Sequence, residues 1–432
     1  MYMIKNNNHC VVTVALCVLI TLFCVQNLLA GVRGTLMGNL DTVVSNGPLD
    51  AGRNPALLAT QTGNSAAGAY LLYRAYEMND EDVESDGLEY DVPRGSSADL
   101  VAGFSTRIGS SILGISIESN DKGSQFEQSE AHITMQDSSM LYKLDTKSRA
   151  SNPALNTSIG ISLDSNTSIG FQLNTGFSYQ KDETEMTAIS GVPVEIVDID
   201  SETRSLLFEI GFGYLHRTDK SQVGLYFTSG IMQFQWADYE YRQNIAGYSG
   251  TYSLHNYFKY TSGMSLSAGV FQQVTSSLGV AFEAGYRFPY SYKYTQYKYV
   301  GGPEPGETQA VSVTSEGVIV FKGGVSLALN SSLTVSTGLL YTRSRQSQYE
   351  DNTTTNSEEK MLRQKFNIWL VTAGAEYVVS PNIVLGAGAM IFRTYYDNDE
   401  DNRGSGGSVF GAMDLSMTSL KFNIAAGVTY TL

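Results

Sequence analysis

Apolar residues recur at every second position through most of the chain after about residue 66. In one representative run, Leu206, Phe208, Ile210, Phe212 and Tyr214 share one face, and small or polar residues occupy the other. The runs that begin at 169 and at 278 repeat this alternation. A period of two is typical of a β-strand that lies between two different environments. The pattern therefore predicts an all-β protein.

The polar face of these predicted strands is unusual for a water-soluble sheet. It consists mainly of Gly, Ser, Thr, Gln and Asn, whereas a solvent-exposed face would carry many Lys and Glu residues. Charged residues make up only 16% of the chain, and Gly accounts for 42 of its 432 residues. This composition is typical of a transmembrane barrel wall, with lipid outside and a wet or plugged lumen inside.

Short and long connections alternate between the predicted strands. Short polar turns, of about two to five residues each, lie near 109–111, 164–167, 218–221, 275–277, 330–332 and 380–382. Long polar stretches lie near 77–97, 118–154, 181–203, 233–257, 293–315, 345–362 and 397–410. The alternation predicts a transmembrane antiparallel β-barrel of about 14 strands, with short periplasmic turns and long outer loops. An apolar stretch at 140–142 leaves a further strand open.

The chain ends within an alternating run that extends from Phe422 to Leu432. Such a strand can pair with the first predicted strand, near 66–76, and closure would remove the sheet edges that lipid does not tolerate. Residues 66–432 are therefore predicted to form the barrel. We expect the barrel to be surrounded by outer-membrane lipid, and both a monomer and an oligomer stay open.

The first 30 residues have a different pattern. A polar start with Lys5 precedes an apolar run from Val11 to Val25, and a small residue, Ala30, ends the segment. The run is shorter than the roughly 20 residues that a spanning helix needs. Residues 1–30 are therefore predicted to be a signal peptide cleaved after Ala30, with an uncleaved anchor as the alternative. All three cysteines fall in this segment, so the mature chain would contain no disulfide.

Net charge and motifs exclude several function classes. The formal net charge is −15, which argues against nucleic-acid binding because that function needs clustered basic residues. The sequence contains no evident nucleophile elbow, zinc motif or phosphate-binding loop. We therefore expect neither an enzyme nor a bound cofactor or metal. Acidic clusters near 77–91 and 397–401 are read as solvated surface charge.

Residues 31–65 do not alternate, and they precede the first predicted strand. Asn54 is a favourable helix N-cap, Pro55 suits the first helical position, and Ala56 begins a helix-favouring Ala-Leu-Leu-Ala run. A barrel of the predicted size encloses a lumen too wide for its wall side chains to fill. We therefore predict that residues 31–65 form a plug, here called the hatch, that contains a short capped helix.

The run Gly-Arg-Asn-Pro-Ala-Leu at 52–57, the predicted strand count and the hairpin at 379–386 together resemble the FadL-type family of outer-membrane transporters. This family carries long-chain fatty acids and other hydrophobic compounds. The resemblance implies a hatch with an Asn-Pro-Ala motif and passive uptake of a hydrophobic small molecule past it. The chain departs from the family at 49–53, where Leu-Asp-Ala-Gly-Arg replaces an Ala-Gly-rich, aromatic approach to the Asn.

Two alternative functions stay open at this point. One is a non-transporting scaffold or carrier for surface proteins, a role that is also known in the family. The other is a general porin, which would need an open, water-filled lumen that a hatch would deny it.

Two neighbouring outer loops carry more apolar residues than exposed loops normally do, and such residues should be buried somewhere. The resemblance places ligand capture between these loops. The candidate ligand groove consists of Met186, Ile189, Val192, Val194 and Ile196 from the first loop, and Trp236, Tyr239, Tyr241, Ile245 and Tyr248 from the second. The alternative is that each loop is an extended hairpin that packs its own side chains.

Several charged residues should face the lumen, because they alternate with the apolar outer positions. They are Arg107, Glu209, Glu283 and Glu376. Charges inside a barrel usually pair with one another or with a plug, and the hatch offers Asp50 and Arg53 as partners. We therefore expect Arg53 to meet one of the lumen glutamates and Asp50 to meet Arg107.

Aromatic residues occupy every second position from Tyr286 to Tyr294. Such a row at the outer end of a strand is typical of the interfacial aromatic girdle of a membrane barrel. The alternative is a ligand vestibule inside the barrel mouth.

Overall fold

The computed structural model describes residues 33–61, 64–79, 94–135, 138–188, 194–245, 248–297, 308–352, 357–399 and 415–431. The predicted signal peptide and the predicted groove residues Ile189 and Val192 lie outside these ranges. Within them, no helix has the length and apolar character needed to cross a membrane.

The barrel is a ring of antiparallel strands in which each strand pairs with its neighbours in sequence. Four strands are interrupted, so the 18 segments of the sheet form 14 barrel strands, as predicted. They are β1 (Ser65–Asn79), β2 (Arg94–Ile108), β3 (Ser111–Met135), β4 (Ser138–Ser151 and Ala154–Ser162), β5 (Thr167–Ala188), β6 (Val194–Arg217), β7 (Ser221–Thr228 and Met232–Ile245), β8 (Tyr248–Thr261 and Ser265–Gln273), β9 (Leu278–Arg287 and Tyr290–Tyr297), β10 (Thr308–Ala328), β11 (Leu333–Asn352), β12 (Ser357–Ser380), β13 (Ile383–Asp399) and β14 (Leu415–Thr431).

Pairing between the first and last strands closes the ring. Ala66 of β1 lies opposite Thr431 of β14, and the register continues without a break to Asn79 opposite Thr418. The predicted closure is therefore confirmed. Large apolar side chains such as Ile210, Phe282 and Val371 are exposed on the outer face, which is the arrangement expected of a lipid-facing wall.

The short turns lie where the sequence predicts them, but several predicted long loops are β-structure. β3 continues to Met135 before β4 begins at Ser138, and β7 continues to Ile245 before β8 begins at Tyr248. The stretches near 118–154, 181–203, 233–257 and 345–362 are therefore largely extended hairpins. Beyond the lipid belt, strands no longer need an apolar outer face, so their sequences lose the alternation that identifies a strand.

On four adjacent strands, the alternation between lipid-facing and lumen-facing residues is reversed at the same height in the barrel. Interruptions at 229–231, 262–264 and 288–289 divide β7, β8 and β9, and a bulge at 316–317 disturbs β10. Gly230 adopts a left-handed conformation (φ +80°), and a Cβ there would lie 2.2 Å from the carbonyl oxygen of Ser262. The turn and the close approach together require glycine at this position.

The phase change divides the aromatic row that the sequence predicts as one girdle. Tyr286 and Phe288 are exposed on the outer face. Beyond the interruption, Tyr292 stacks on Tyr260 with ring centroids 4.5 Å apart and lies opposite Val313, which is 3% exposed. The outer part of the row therefore faces the lumen, and the prediction of a single girdle is wrong there.

The N-terminal segment lies inside the barrel. It contains helix α1 (Arg33–Leu36) and two 3-10 helices, Gly47–Gly52 and Pro55–Thr60. Its apolar side chains contact inward-facing wall residues on several sides of the lumen. The contacts pair Met37 and Leu40 with Ala281, Leu49 with Val101, Leu58 with Ile112, and Leu57 with Leu215. The hatch therefore has an apolar core that it shares with the barrel wall.

Glycines on the inner face make room for the hatch backbone. A Cβ on Gly213 would lie 1.9 Å from Asn54 Oδ1, and one on Gly224 would lie 2.3 Å from the carbonyl oxygen of Thr42. A Cβ on Gly324 would lie 2.3 Å from the carbonyl oxygen of Met37. The small inner face seen in the sequence is therefore the surface against which the hatch packs.

Adjacent glycines in β10 provide a test of this arrangement. We expect Gly324→Ala to displace the hatch, because the new methyl group would overlap the backbone of Met37. Gly323→Ala is the matched control, since its Cβ would lie 3.8 Å from the nearest atom, an ordinary contact. Single-channel conductance in planar bilayers should rise only for Gly324→Ala, with heat-modifiable gel migration unchanged in both variants. Equal conductance of the two variants would contradict the packing described here.

Candidate functional site

Asn54 joins the hatch helix to the barrel wall. Its Oδ1 accepts a hydrogen bond from the backbone N–H of Ala56 at 3.1 Å, which is the capping contact predicted from the sequence. Its Nδ2 donates to the carbonyl oxygens of Thr42, at 2.9 Å, and of Leu225 in β7, at 3.3 Å. The capped helix is a 3-10 helix with Pro55 at its start.

Pro55 and Ala56 pack directly against β5. The Ser168 hydroxyl donates a hydrogen bond to the carbonyl oxygen of Ala56 at 3.0 Å. A Cβ on Gly170 would lie 2.4 Å from the carbonyl carbon of Pro55. The motif Asn54-Pro55-Ala56 therefore positions the hatch through contacts with three consecutive strands, β5, β6 and β7.

Four buried charges form a second attachment between hatch and wall. Asp41 accepts from the Arg53 guanidinium at 2.7 Å and from Lys322 of β10 at 2.6 Å. Lys322 also contacts Glu283 of β9 at 2.9 Å. The other oxygen of Glu283 accepts the backbone N–H groups of Asp41 and Thr42, at 3.0 and 2.9 Å. Two acids and two bases thus neutralise one another in a site that we call the ionic cluster.

The ionic cluster keeps Asp41 ionised. Burial alone would raise the pKa of Asp41, but the positive charges of Lys322 and Arg53 outweigh it and hold the pKa below its ordinary value. Charged hydrogen bonds of this kind are stronger than neutral ones. The cluster therefore fixes residues 41–42 of the hatch against β9 and β10.

The predicted partners of the two hatch charges are wrong. Arg53 pairs with Asp41 of the hatch itself, and Glu283 is bonded to Lys322 and to hatch backbone. Asp50 accepts hydrogen bonds from the Ser45 hydroxyl and the Asn46 backbone N–H, at 2.5 and 2.9 Å.

The other predicted lumen charges are on the inner face. Arg107 donates to the carbonyl oxygen of Gln61 at 2.7 Å, so it contacts the end of the hatch and not Asp50. Glu209 and Glu376 are half-buried on β6 and β12. Asp41 and Lys322 were missed in the sequence analysis. The inward parity of Lys322 in β10 was available as a signal, but the non-periodic hatch offers none for Asp41.

An apolar patch lies on the lumen wall beside the hatch. It consists of Leu340, Leu370, Met390, Phe392 and Ala425 from β11 to β14. Thr372 of β12 follows Leu370 on the inner face, and its hydroxyl forms two hydrogen bonds with the hatch backbone. That hydroxyl accepts the Gly38 N–H at 3.0 Å and donates to the Leu36 carbonyl oxygen at 2.7 Å. The patch therefore begins where the hatch ends.

Stacked tyrosines cover a neighbouring part of the lumen wall. Tyr260 and Tyr292 have ring planes 19° apart, and the Tyr290 ring lies 6.4 Å beyond Tyr292. The Tyr260 hydroxyl hydrogen-bonds Gln233, which in turn donates to Ser205 at 3.0 Å. This part of the lumen wall thus presents flat apolar ring faces, and Gln233 satisfies the hydroxyl of Tyr260.

Of the residues in the predicted ligand groove, Trp236 is the one whose side chain the structure describes. Trp236 is 41% exposed on the outer face, where it contacts Tyr257. In the register of β6 against β7, Tyr239 lies opposite Ser201 and Tyr241 opposite Ile199.

The remaining groove positions lie in the hairpin extensions. Met186 pairs with Val197 and Val194 with Ala188, around an irregularity that includes Ile196. Ile245 lies opposite Tyr248 at the end of the β7–β8 hairpin. These residues belong to hairpins and not to irregular loops, which is the alternative that the sequence left open.

Within the described ranges, no group of three or more His, Cys, Asp or Glu side chains is arranged to hold a metal ion. The acids of the ionic cluster are already occupied by Lys322, Arg53 and backbone N–H groups.

Comparison with known proteins identifies the fold. No family model and no curated protein sequence matches the chain. Solved structures do match over nearly the whole length. The toluene transporter TodX of Pseudomonas putida has a TM-score of 0.57 at 11% identity, covering 94% of this chain and 99% of that one. The toluene transporter TbuX of Ralstonia pickettii also has a TM-score of 0.57, at 12% identity, covering 93% and 98%.

A FadL homologue from Pseudomonas aeruginosa has a TM-score of 0.58 at 13% identity, covering 93% of this chain and 98% of that one. At such identities the likeness concerns the fold. The chain therefore has the fold of the FadL-type transporters, as the resemblance in its sequence implies.

Asp50 makes the docking of the hatch sensitive to pH. Burial raises its pKa from 3.8 to about 7, although the Ser45 and Asn46 hydrogen bonds oppose the rise. A group whose pKa is raised on folding stabilises the docked state fully below its unfolded pKa, and this stability is lost as the pH rises through the folded value. We therefore expect the hatch to open more readily at pH 8 than at pH 5.

Thr42→Cys provides the reporter for this prediction, because Thr42 is fully buried and its hydroxyl has no hydrogen-bond partner in the described structure. The rate of maleimide labelling is measured for Thr42→Cys and for Thr42→Cys/Asp50→Asn. The ratio of the first rate to the second should rise by about tenfold or more between pH 5 and pH 8. Asn keeps the shape and an acceptor but cannot ionise. A constant ratio across this pH range would show that Asp50 does not control the hatch.

Proposed function

We propose that this chain is an outer-membrane channel for the passive uptake of hydrophobic small molecules. The apolar patch formed by Leu340, Leu370, Met390, Phe392 and Ala425 carries the proposal. A water-filled pore has a polar interior, whereas an apolar lumen wall offers favourable contacts to a ligand that itself avoids water. Long-chain fatty acids and aromatic hydrocarbons are the two ligand classes that we propose to test.

The location in the outer membrane is supported by four observations. The outer face carries a belt of exposed apolar side chains, and the fold is that of outer-membrane transporters. The sequence also begins with a predicted signal peptide. Short turns at the end where the hatch enters and long hairpins at the other end are typical of barrels whose hairpins face outward.

A route follows from the order of the lumen surfaces. A ligand entering from the hairpin end meets the tyrosine stack of Tyr260, Tyr290 and Tyr292, and then the apolar patch. Below the patch, Thr372 holds the hatch backbone at Leu36 and Gly38. Since the hatch packs against the wall at this level, we propose that passage requires the hatch to move. The ionic cluster and Asn54 set the free-energy cost of that movement.

The alternatives differ in how well the described residues support them. Residues 33–61 occupy the lumen, which disfavours a general porin with large steady conductance. A scaffold for surface proteins would have no need of an apolar lumen wall. Ligand capture by the outer hairpins, including Met186, Val194 and Tyr248, stays a prediction of the family resemblance.

Substitution within the apolar patch tests the proposed function. Met390 is 2% exposed. Leu is an apolar residue of similar size, and Gln is a polar residue of similar size. We expect Met390→Gln to lower uptake about tenfold, because a polar group in a hydrophobic site typically costs ~1–3 kcal/mol. Met390→Leu should retain uptake. Uptake of labelled oleate and of labelled toluene is measured for both variants, in cells in which this chain is the uptake route for the two compounds.

The two substrates separate the ligand classes. Loss of oleate uptake alone would assign fatty acids, and loss of toluene uptake alone would assign aromatic hydrocarbons. If Met390→Gln and Met390→Leu transport both compounds equally well, the apolar patch is not part of the route and the proposed function loses its main support.

A further inference from the structure

A series of hydrogen-bonded side chains crosses the inner face of the barrel from β7 to β3. The Tyr226 hydroxyl of β7 donates to Oε1 of Gln172 on β5 at 2.6 Å. Nε2 of Gln172 donates to Oδ1 of Asn156 on β4 at 3.2 Å. Nδ2 of Asn156 donates to the Ser116 hydroxyl at 3.2 Å and to Oε1 of Glu118 at 3.4 Å, both on β3. We call these five side chains the polar network.

A glycine on β6 allows Tyr226 to reach across to β5. A Cβ on Gly211 would lie 2.8 Å from Oε1 of Gln172 and 3.1 Å from the Tyr226 hydroxyl. Tyr226 and Gln172 are the next inward residues after Gly224 and Gly170, which contact the hatch. The polar network therefore lies directly above the hatch, on its hairpin side.

The polar network and the apolar patch occupy opposite walls of the lumen at the same height. In a closed ring of 14 strands, β4, β5 and β7 lie seven strands from β11, β12 and β14. Leu370 and Met390 of the patch are also the next inward residues above hatch contacts, which are made by Thr372 and Gly388. A ligand that rests on the hatch therefore has an apolar wall on one side and hydrogen-bonding groups on the other.

The order of donors in the polar network is fixed by its carboxylate end. A carboxylate only accepts hydrogen bonds, so Glu118 requires Nδ2 of Asn156 to face it. Oδ1 of Asn156 is then left to accept from Gln172, whose own oxygen accepts from Tyr226. The Tyr226 hydroxyl has therefore used its one hydrogen, and its oxygen can only accept a further hydrogen bond.

A second acceptor lies next to this hydroxyl. Glu209 is the next inward residue after Gly211 on β6, towards the hairpin end, and it is half-buried. In the part of the chain that the structure describes, Glu209 forms no ion pair and no side-chain hydrogen bond. The carboxylate of Glu283, by contrast, is occupied by Lys322 and by hatch backbone. The wall opposite the apolar patch thus presents two hydrogen-bond acceptors, Tyr226 and Glu209.

We propose that the lumen favours hydrophobic ligands that carry a hydrogen-bond-donating group at one end, such as long-chain alcohols. The hydrocarbon tail contacts the apolar patch, and the hydroxyl group donates to Tyr226 or Glu209. An ionised carboxylate has no hydrogen to donate and is repelled by the charge of Glu209. An ether has only an acceptor, so it leaves both wall acceptors without a partner. This inference rests on the proposed function, because it names the ligand class of that channel.

Uptake of three ligands with similar tails tests the inference. They are 1-decanol, decyl methyl ether and decanoate, supplied at neutral pH to cells in which this chain is the uptake route. We expect wild type to take up 1-decanol about tenfold faster than the ether, since only the alcohol can donate to the wall.

Tyr226→Phe keeps the ring beside Gly211 but removes the acceptor. It should lower the ratio of 1-decanol to ether uptake about fivefold. Tyr214→Phe is the matched control and should keep the wild-type ratio. Tyr214 alternates with Gly213 and Leu215, which contact the hatch, so its hydroxyl lies on the outer face of β6.

Glu209→Gln provides an independent variant, because it removes the charge and keeps the size of the side chain. Uptake of decanoate relative to the ether should rise several-fold in this variant. Unaltered heat-modifiable migration shows that each variant is folded.

Three results would overturn the inference. They are equal uptake of 1-decanol and the ether by wild type, an unchanged ratio of the two in Tyr226→Phe, and unchanged decanoate uptake in Glu209→Gln. If wild type takes up none of the three ligands faster than cells that lack this chain, the proposed function fails together with the inference. Rapid but equal uptake of all three would contradict the inference alone.

Discussion

The ionic cluster of Asp41, Arg53, Lys322 and Glu283 is the constraint on which the arrangement of hatch and barrel depends. Each of these charges would be costly to bury alone, and removal of one partner of a buried pair typically costs about 3–5 kcal/mol. Asp41 is the common partner of Arg53 and Lys322, and Glu283 binds the adjacent backbone. The Lys322–Asp41 ion pair and the two backbone hydrogen bonds to Glu283 form only while the hatch is docked, so they define one position for it.

This constraint accounts for the two surfaces of the lumen. Where the hatch docks, the wall contributes glycines that admit the hatch backbone, and Ser158, Ser168 and Thr372 bond its carbonyl groups. Beside the hatch the wall becomes apolar, at Leu370 and Met390. A hydrophobic ligand would therefore find favourable contacts as far as the hatch and none beyond it until the hatch moves.

The sequence predicts most of the membrane-spanning wall, since a strand between lipid and lumen must alternate. The strand count, the short turns and the closure of β14 on β1 all follow from that periodicity. Asn54 was also predictable, because helix capping is a local property. The hairpin extensions were missed where alternation stops, and the lumen-facing Tyr290 and Tyr292 were assigned to the wrong face because the interruption at 288–289 reverses the phase. Asp41 was missed because the hatch has no repeating pattern that relates sequence to position.

A reversible tether between hatch and wall tests the central claim, that hydrophobic ligands pass only when the hatch moves. A Cβ on Gly269 of β8 would lie 3.3 Å from the Cβ of Thr42, slightly closer than the Cβ atoms of a disulfide, and 3.1 Å from a methyl group of Val43, so a small shift of the hatch would allow the bond. In the variant Thr42→Cys/Gly269→Cys, oxidation should abolish oleate and toluene uptake, and reduction should restore it, while each single variant is insensitive to oxidation. Full uptake by the oxidised, tethered protein would contradict the account.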